Sequence, residues 1–150
     1  LPSVLASPND IDSFRKTGQR RDLNREKFEA NQLLEVLKNF DSPASKNISY
    51  LTHIVKVRSR LKAFHPEASM KCISTNIANC IILQRGLDED SVYVICNMSS
   101  KFLSISPLNQ IKSLDLTPEK RLLDNITGSY FNTDTFKLNP YQVVWLTLAD

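Results

Sequence analysis

Glycine is scarce, three in 150 residues, and that shortage excludes more than most of the residues present establish. Dinucleotide and nucleoside-triphosphate sites need a glycine-rich turn that lets backbone N–H groups approach phosphate, and no such run occurs here. No nucleophile elbow, HExxH or CxxC pair is present either, so the usual carriers of hydrolase, zincin and thiol-redox chemistry are missing. Histidine occurs twice and cysteine three times, at spacings that fit no metal site. Neither a metal nor another cofactor is expected. No apolar run approaches the roughly 20 residues that span a bilayer. The opening LPSVLASPND has neither a basic leader nor a long apolar segment, so the expectation is a soluble, cytoplasmic protein that is not secreted and has no membrane partner. Charge of one sign is also lacking. Nineteen basic and sixteen acidic residues leave a net +3, spread along the chain, which gives no ground for a nucleic-acid partner.

What is present suffices for an ordinary folded domain with a real core, since 41% of the residues are hydrophobic. Cys72, Cys80 and Cys96 sit among β-branched residues and are expected to be buried free thiols in a reducing compartment. The chain starts at Leu1 without a methionine and reads as a piece of something larger.

Along the chain the period of the apolar residues changes once. Residues 1 to 25 read as loop with one helical turn at NDIDSFRK, where Asn9 or Asp10 is the cap and Gly18 the stop. REKFEANQLLEVLKNF then puts Phe28, Leu33, Leu34 and Leu37 near one side of a helix, with Glu26 and Glu29 in its first turn. Ser42 followed by Pro43 starts the next helix, which is expected to run to about Ala63. Its apolar stripe is Ile48, Leu51, Ile54, Val55 and Leu61; Lys56, Arg58, Arg60 and Lys62 form a basic remainder that reads as a solvated outer face.

Beyond AFHPEAS the helical period disappears. MKCIST, NCIILQR, SVYVICNMS, FLSIS, KRLLDNITG and TFKLNPYQVVWLTLA are short β-rich runs, six to eight strands of an antiparallel sandwich or sheet. Helices followed by strands make an α+β chain or the junction of two domains, and the junction is the favoured reading. HPEAS is then the connecting turn, with His65 a linker residue and His53 packed or at the surface. Tyr130, Phe131, Tyr141 and Trp145 alternate along strands and are expected in the core.

The unusual stretch is TGQRRDLNREKF, with arginines at 20, 21 and 25 around Asp22 and Asn24. An arginine fixed by a carboxylate still offers a planar fork of donors to hydroxyls or phosphate. The same residues also suit a surface turn whose charges cap the following helix. Composition and spacing leave both readings open.

Four segments together carry a resemblance. SPND with KTG and RDLNREKF, the helical LTHIVKVRSRLKAFHPEAS, the β-rich tail and the closing FKLNPYQVVWL are similar to the C-terminal portion of sucrose phosphorylase and its close relatives, a branch of the α-amylase family of glycoside hydrolases. RDLNR, residues 21 to 25, is the most specific piece. The resemblance implies that residues 1–64 are the last loop and helices of a (β/α)8 barrel and residues 65–150 an antiparallel β-sandwich C-terminal domain. It places the loop at the C-terminal ends of the barrel strands, where such enzymes act.

In the family the first arginine of this motif reaches the glucosyl subsite and pairs with an aspartate from early in the barrel. By position that is Arg21. Asp10, Asn24 and Arg25 complete the candidate substrate-binding set, Asn24 and Arg25 by bracing the loop. The sequence departs from the pattern at Leu23, where isoleucine is common, and at Arg20, where glycine is common.

No catalytic residue is expected in this chain, because the family's nucleophile, acid/base glutamate and stabilising aspartate lie upstream and a retaining mechanism needs two carboxyl groups about 5 Å apart. The implied partners are an α-glucoside or glucose 1-phosphate, together with phosphate, in a full-length enzyme that transfers a glucosyl unit with retention. Two other classes compete: a non-catalytic carbohydrate-binding or interaction module, and a small basic RNA-binding protein.

Overall fold

A computed structural model describes residues 3–24, 28–111 and 116–149. The chain divides into two compact units, Leu1–Val55 and Lys56–Asp150, so the division falls inside a helix.

The first unit is helical. Helix α1, Ile11–Thr17, starts on Asp10, whose carboxylate accepts the Ser13 N–H, and ends on Gly18 in the left-handed region at φ +68°. A glycine suits that stop because a Cβ at positive φ is strained. A 3-10 turn, Arg20–Asn24, follows. Helix α2, Ala30–Lys38, is shorter than the apolar pattern suggested; the start expected around Arg25–Lys27 lies outside the described residues. Helix α3, Pro43–Arg60, begins where Ser42-Pro43 placed it. The Ser42 hydroxyl accepts the Ser45 N–H at 3.0 Å and donates to the Val36 carbonyl at 2.8 Å, so one side chain caps α3 and ties it to α2. α3 ends three residues early, because Leu61 turns to an extended conformation.

Little in this unit is covered. Leu5, Ala44 and Ser45 are buried, whereas Phe40 is 83% exposed and Val55 62%. Leu34, Val36, Tyr50 and Leu51 are exposed as well. A helix pair of this kind buries an apolar stripe only against a further layer, and the unit supplies none within itself.

The second unit carries the antiparallel sheet. Its strands are β1 Met70–Ile73, β2 Cys80–Arg85, β3 Val92–Asn97, β4 Leu103–Ile105, β5 Arg121–Asp124, β6 Tyr130–Asn132, β7 Phe136–Leu138 and β8 Val143–Leu148, with a one-turn helix α4 at Pro107–Gln110. Six strands pair in the order β1-β2-β3-β8-β5-β6, and β4 pairs with β7 as a separate ribbon. The whole chain is thus mixed helix and antiparallel sheet.

Register follows the period of two. Ile82 stands opposite Ile95, and Ile95 opposite Val144, on the inner face. Those side chains join Tyr93, Leu122 and Leu146 of the large sheet and Ile105, Phe136 and Leu138 of the ribbon in one core. The outer face of the large sheet carries Val94 opposite Trp145.

Two buried polar side chains are fully engaged, as burial requires. Asp124 accepts from the Trp145 and Ile126 N–H groups at 2.9 and 3.2 Å and from the Thr127 hydroxyl at 2.7 Å, closing the turn after β5. Asn97 donates to the Lys101 and Asn139 carbonyls at 2.7 and 2.8 Å and accepts from Ser99. It thereby joins the turn after β3 to the turn before β8.

Two further expectations are corrected. Cys72 is exposed, because edge strand β1 turns it to the outer face, and Cys80 and Cys96 are only half-buried. Tyr130 and Tyr141 are exposed rather than core, the first on edge strand β6 and the second in the turn between β7 and β8. Phe131 and Trp145 are half-buried. Among the described residues no helix is long and apolar enough to cross a membrane.

Candidate functional site

The loop that the sequence singled out is a knot of short bonds between α1 and the 3-10 turn. The Asp10 N–H donates to the Leu23 carbonyl at 2.8 Å, and the Asp22 N–H to the Gln19 carbonyl at 3.0 Å. The Thr17 hydroxyl donates to the Asp22 carboxylate and accepts the Gln19 N–H at 3.2 Å. Thr17 and Gly18 therefore have separate tasks. Gly18 ends the helix, and Thr17 fixes the carboxylate beside Arg21. That brace was missed from the sequence, where threonine before glycine reads only as punctuation.

Arg21 lies open. Its guanidinium is 63% exposed, and its Nε stands 3.9 Å from the Asp22 carboxylate, too far for a hydrogen bond. Asp22 is the more covered partner, at 22%. Among the described residues no hydrogen bond uses Arg21's five donors, which leaves them available to a group arriving from outside.

Asp10 is placed in the same knot, but both its carboxylate oxygens are in use: the Ser13 N–H donates to one at 2.9 Å and the Ser13 hydroxyl to the other at 2.6 Å. The hydroxyl bond first, and the N–H bond second, hold its carboxyl below the usual carboxylate range. Its side chain is a helix cap. Asn24 closes the 3-10 turn and is exposed. Arg25 lies outside the described residues. The structure thus gathers Asp10, Arg21 and Asn24 within fifteen consecutive residues, with the Asp10 carboxylate committed to Ser13 and the Arg21 and Asn24 side chains exposed.

Three other acids of the helical unit are in ordinary surface pairs: Asp12 with Arg15 at 3.5 Å, Glu35 with Lys38 at 2.8 Å, Asp41 with Lys46 at 3.3 Å. Such pairs are solvated and weak. An open groove of about 360 Å³ runs between the first residues and α2, lined by Leu5, Pro8, Phe28, Leu33, Val36 and Ala44. Among the described residues no cluster of His, Cys, Asp and Glu has the makings of a metal site. His65 is a turn residue, its Nδ1 accepting the Glu67 N–H at 3.2 Å, and His53 is exposed on α3. The basic side of α3 is exposed too, with Arg58 donating to the Phe64 carbonyl at 3.1 Å.

Comparison with known proteins bears on the origin of this loop. A glucosylglycerate phosphorylase from Allomeiothermus silvanus is 32% identical over 147 residues, 97% of this chain and 23% of that protein, in its C-terminal part. The chain therefore spans about a quarter of the relative it matches. No family model matches. Solved structures share the fold at low identity. An Anoxybacillus α-amylase aligns with 74% of this chain and 24% of its own, at 16% identity and a TM-score of 0.56. Trehalose-6-phosphate hydrolase of Bacillus licheniformis aligns with 78% and 20%, at 17% identity and 0.53. The resemblance to the C-terminal portion of glycoside phosphorylases in the α-amylase family stands.

Proposed function

We propose that this chain, alike over nearly all its length to the C-terminal part of a glycoside phosphorylase, is the closing portion of an enzyme that moves a glucosyl unit between an α-glucoside and phosphate with retention. The 32% identity over 97% of the chain carries the reading. Residues 1–64 are then the last loop and helices of a (β/α)8 barrel, and residues 65–150 a β-sandwich domain behind it. The bare apolar sides of α2 and α3 agree with helices meant to lie on barrel strands.

In this reading Arg21 borders the glucosyl subsite. Its fork donates to the sugar's far hydroxyls while a carboxylate of the preceding barrel neutralises it, and the Thr17–Asp22 brace holds the turn from which it projects. The chemistry uses carboxylates of that preceding part. One displaces the leaving group at the anomeric carbon, phosphate then displaces the carboxylate, and two inversions retain configuration. This chain contributes sugar orientation and the back of the barrel. Sucrose and glucosylglycerate are both candidate donors, releasing fructose and glycerate respectively, each of which is the acceptor when glucose 1-phosphate is the donor.

The experiment is a graft. The chain replaces the C-terminal part of the Allomeiothermus enzyme, and phosphate-dependent release of glucose 1-phosphate is measured. The expected result is activity that falls at least tenfold in Arg21→Ala, equivalent to about 1.4 kcal/mol or more of a charge-assisted contact. Full activity in Arg21→Ala removes Arg21 from the site.

A second reading has one observation in its favour. Tyr130 and Tyr141 are 59% and 68% exposed, as a sugar-stacking surface requires. A non-catalytic carbohydrate-binding module would show saturable heats on titration of the 150-residue chain with glucosides, and the phosphorylase reading expects none.

A further inference from the structure

The hairpin of β2 and β3 ends at a hollow of about 340 Å³, within the size range of small-molecule sites. Tyr93 stands opposite Gln84 of β2 and opposite Leu146 of β8, so Gln84, Tyr93 and Leu148 share the inner face of the sheet and line the hollow from that side. The hairpin turn is the other wall. Gly86 at φ +76° and Asp88 at φ +50° bend it, and the Ser91 N–H closes it on the Asp88 carbonyl at 3.1 Å. Two kinds of group in this hollow lack a counterpart. Ser91 is 4% exposed; its hydroxyl accepts from the Gln84 amide at 3.2 Å, and among the described residues its own proton has no acceptor. A buried donor is ordinarily spent. Asp88 and Glu89 line the same hollow, and among the described residues neither carboxylate has an ion pair or a hydrogen bond, whereas Asp90 beside them is held by Lys62 at 3.3 Å. Among the described residues no lysine, arginine or histidine lines the hollow.

We infer that this hollow binds a small amino alcohol, a protonated amine carrying a hydroxyl group. The two carboxylates ask for a cation, and the Ser91 proton asks for an oxygen. A plain amine leaves that proton unspent, a neutral polyol leaves the carboxylates uncompensated, and an anion is repelled by both. In the complex the ammonium donates to Asp88 and Glu89, the ligand's hydroxyl oxygen accepts from Ser91, and the carbons between them lie against Leu87 and Leu148. The charge-assisted contacts supply most of the affinity, and Ser91 supplies the preference for a hydroxylated amine over a plain one. No covalent bond is made or broken. Every group involved belongs to the second unit, so the site stands whether or not residues 10–24 border a sugar.

The test follows backbone amide shifts of residues 87–93 in the 150-residue chain at constant ionic strength, during titration with ethanolamine, ethylamine and ethylene glycol. Ethanolamine is expected to give saturable shifts and to bind about fivefold or more tighter than either of the others, the scale of one hydrogen bond. In Ser91→Ala its affinity should fall to that of ethylamine. Ethylamine itself, which has no hydroxyl for Ser91 to meet, should change less than about twofold, and that constancy shows the hollow intact. Glu89 is exposed, so Glu89→Gln leaves the fold alone and should weaken both amines about threefold or more while sparing ethylene glycol. If Ser91→Ala does not fold, the ranking of the three compounds in the unsubstituted chain and the Glu89→Gln result decide. Equal affinities for ethanolamine and ethylamine, a preference for ethylene glycol, an ethanolamine preference that survives Ser91→Ala, amine binding indifferent to Glu89→Gln, or no saturable shift with any of the three overturns the inference.

Discussion

The ring of Phe64 rests on the indole of Trp145, centroids 4.5 Å apart and planes inclined at 47°. Arg85 holds the same 3-10 turn, Lys62–Phe64, from below, its Nε donating to the Ala63 carbonyl at 3.2 Å and its guanidinium to the His65 carbonyl at 2.9 Å. Gly86 makes room for the crossing, since a Cβ there would stand 2.9 Å from the Asp90 carbonyl and 3.1 Å from the Ala63 Cβ. One aromatic contact and one arginine thus fasten the turn that precedes the strands to the outer face of the sheet.

Phe64→Ala should therefore loosen that turn without unfolding the sheet. Phe64 is half-buried, so the loss is about 1–3 kcal/mol, below the range for a fully buried phenylalanine. Trp145 is the chain's single tryptophan, so its emission reports the contact directly. A red shift in Phe64→Ala with an unchanged far-ultraviolet spectrum is the expected result.

Where a short signal had a mechanism, the sequence was legible. Asp10 and Gly18 bound α1, and Ser42-Pro43 begins α3, because each acts through its own local backbone. The strand runs held for the same reason, since alternation at Val92–Asn97 needs no knowledge of a partner strand. α4 went unseen because four residues are too few to show a helical period. Cys72, Tyr130 and Tyr141 were placed inside because their neighbours are β-formers. Whether a β-former faces the core depends on which strands end up at the edge, a tertiary outcome.

The loop was legible only in part. Arginine density marked Arg21, but residue type could not divide the acids into those that brace and those that bind. Asp10 before an apolar helical run fits a cap and a sugar ligand equally well, and only its two bonds to Ser13 show which task occupies the carboxylate.

The thiols should separate by exposure. Burial pushes the Cys80 thiol up, with Cys96 nearby adding to it, and burial alone pushes Cys96 up, whereas Cys72 is open to solvent. The thiolate is the reacting species, so Cys72 should titrate fast with an aromatic disulfide and the other two slowly. Cys72→Ser is expected to abolish the fast phase alone. Three equal rates would contradict the placement.

Tyr141 holds a left-handed backbone at φ +57°, costly for a residue with a Cβ, while its ring remains exposed. The turn imposes it: the Tyr141 N–H donates to the Ser99 carbonyl at 3.1 Å, and the Gln142 side chain accepts the Asn139 N–H at 2.8 Å. Relief of strain in Tyr141→Gly outweighs the added entropy of the unfolded chain, so stability should rise by up to about 1 kcal/mol. Tyr141→Val should lower it by about 1 kcal/mol or more, since branching at Cβ worsens the same clash. Urea midpoints at constant slope distinguish the two.

Acid should unfasten the loop through Asp10. Its two bonds from Ser13 are stronger to the carboxylate than to the neutral acid, so the folded pKa lies below the unfolded one. A depressed carboxylate pKa adds stability that is fully present above the unfolded value, about 3.9, and is lost as pH falls through the folded value. The window is therefore below about pH 4, and neutral-pH stability is untouched by it. Asp10→Asn keeps a capping oxygen but cannot titrate. Its α1 should be protected as well as that of the unsubstituted chain at pH 7, and better at pH 3, as read from exchange of the Ser13 amide. Because the Asp10 N–H also secures Leu23, opening of α1 in acid should reach the 3-10 turn and raise amide exchange at Asp22 in the same pH range. Exchange at Asp22 that ignores pH in the unsubstituted chain would show that the turn carrying Arg21 is held without α1.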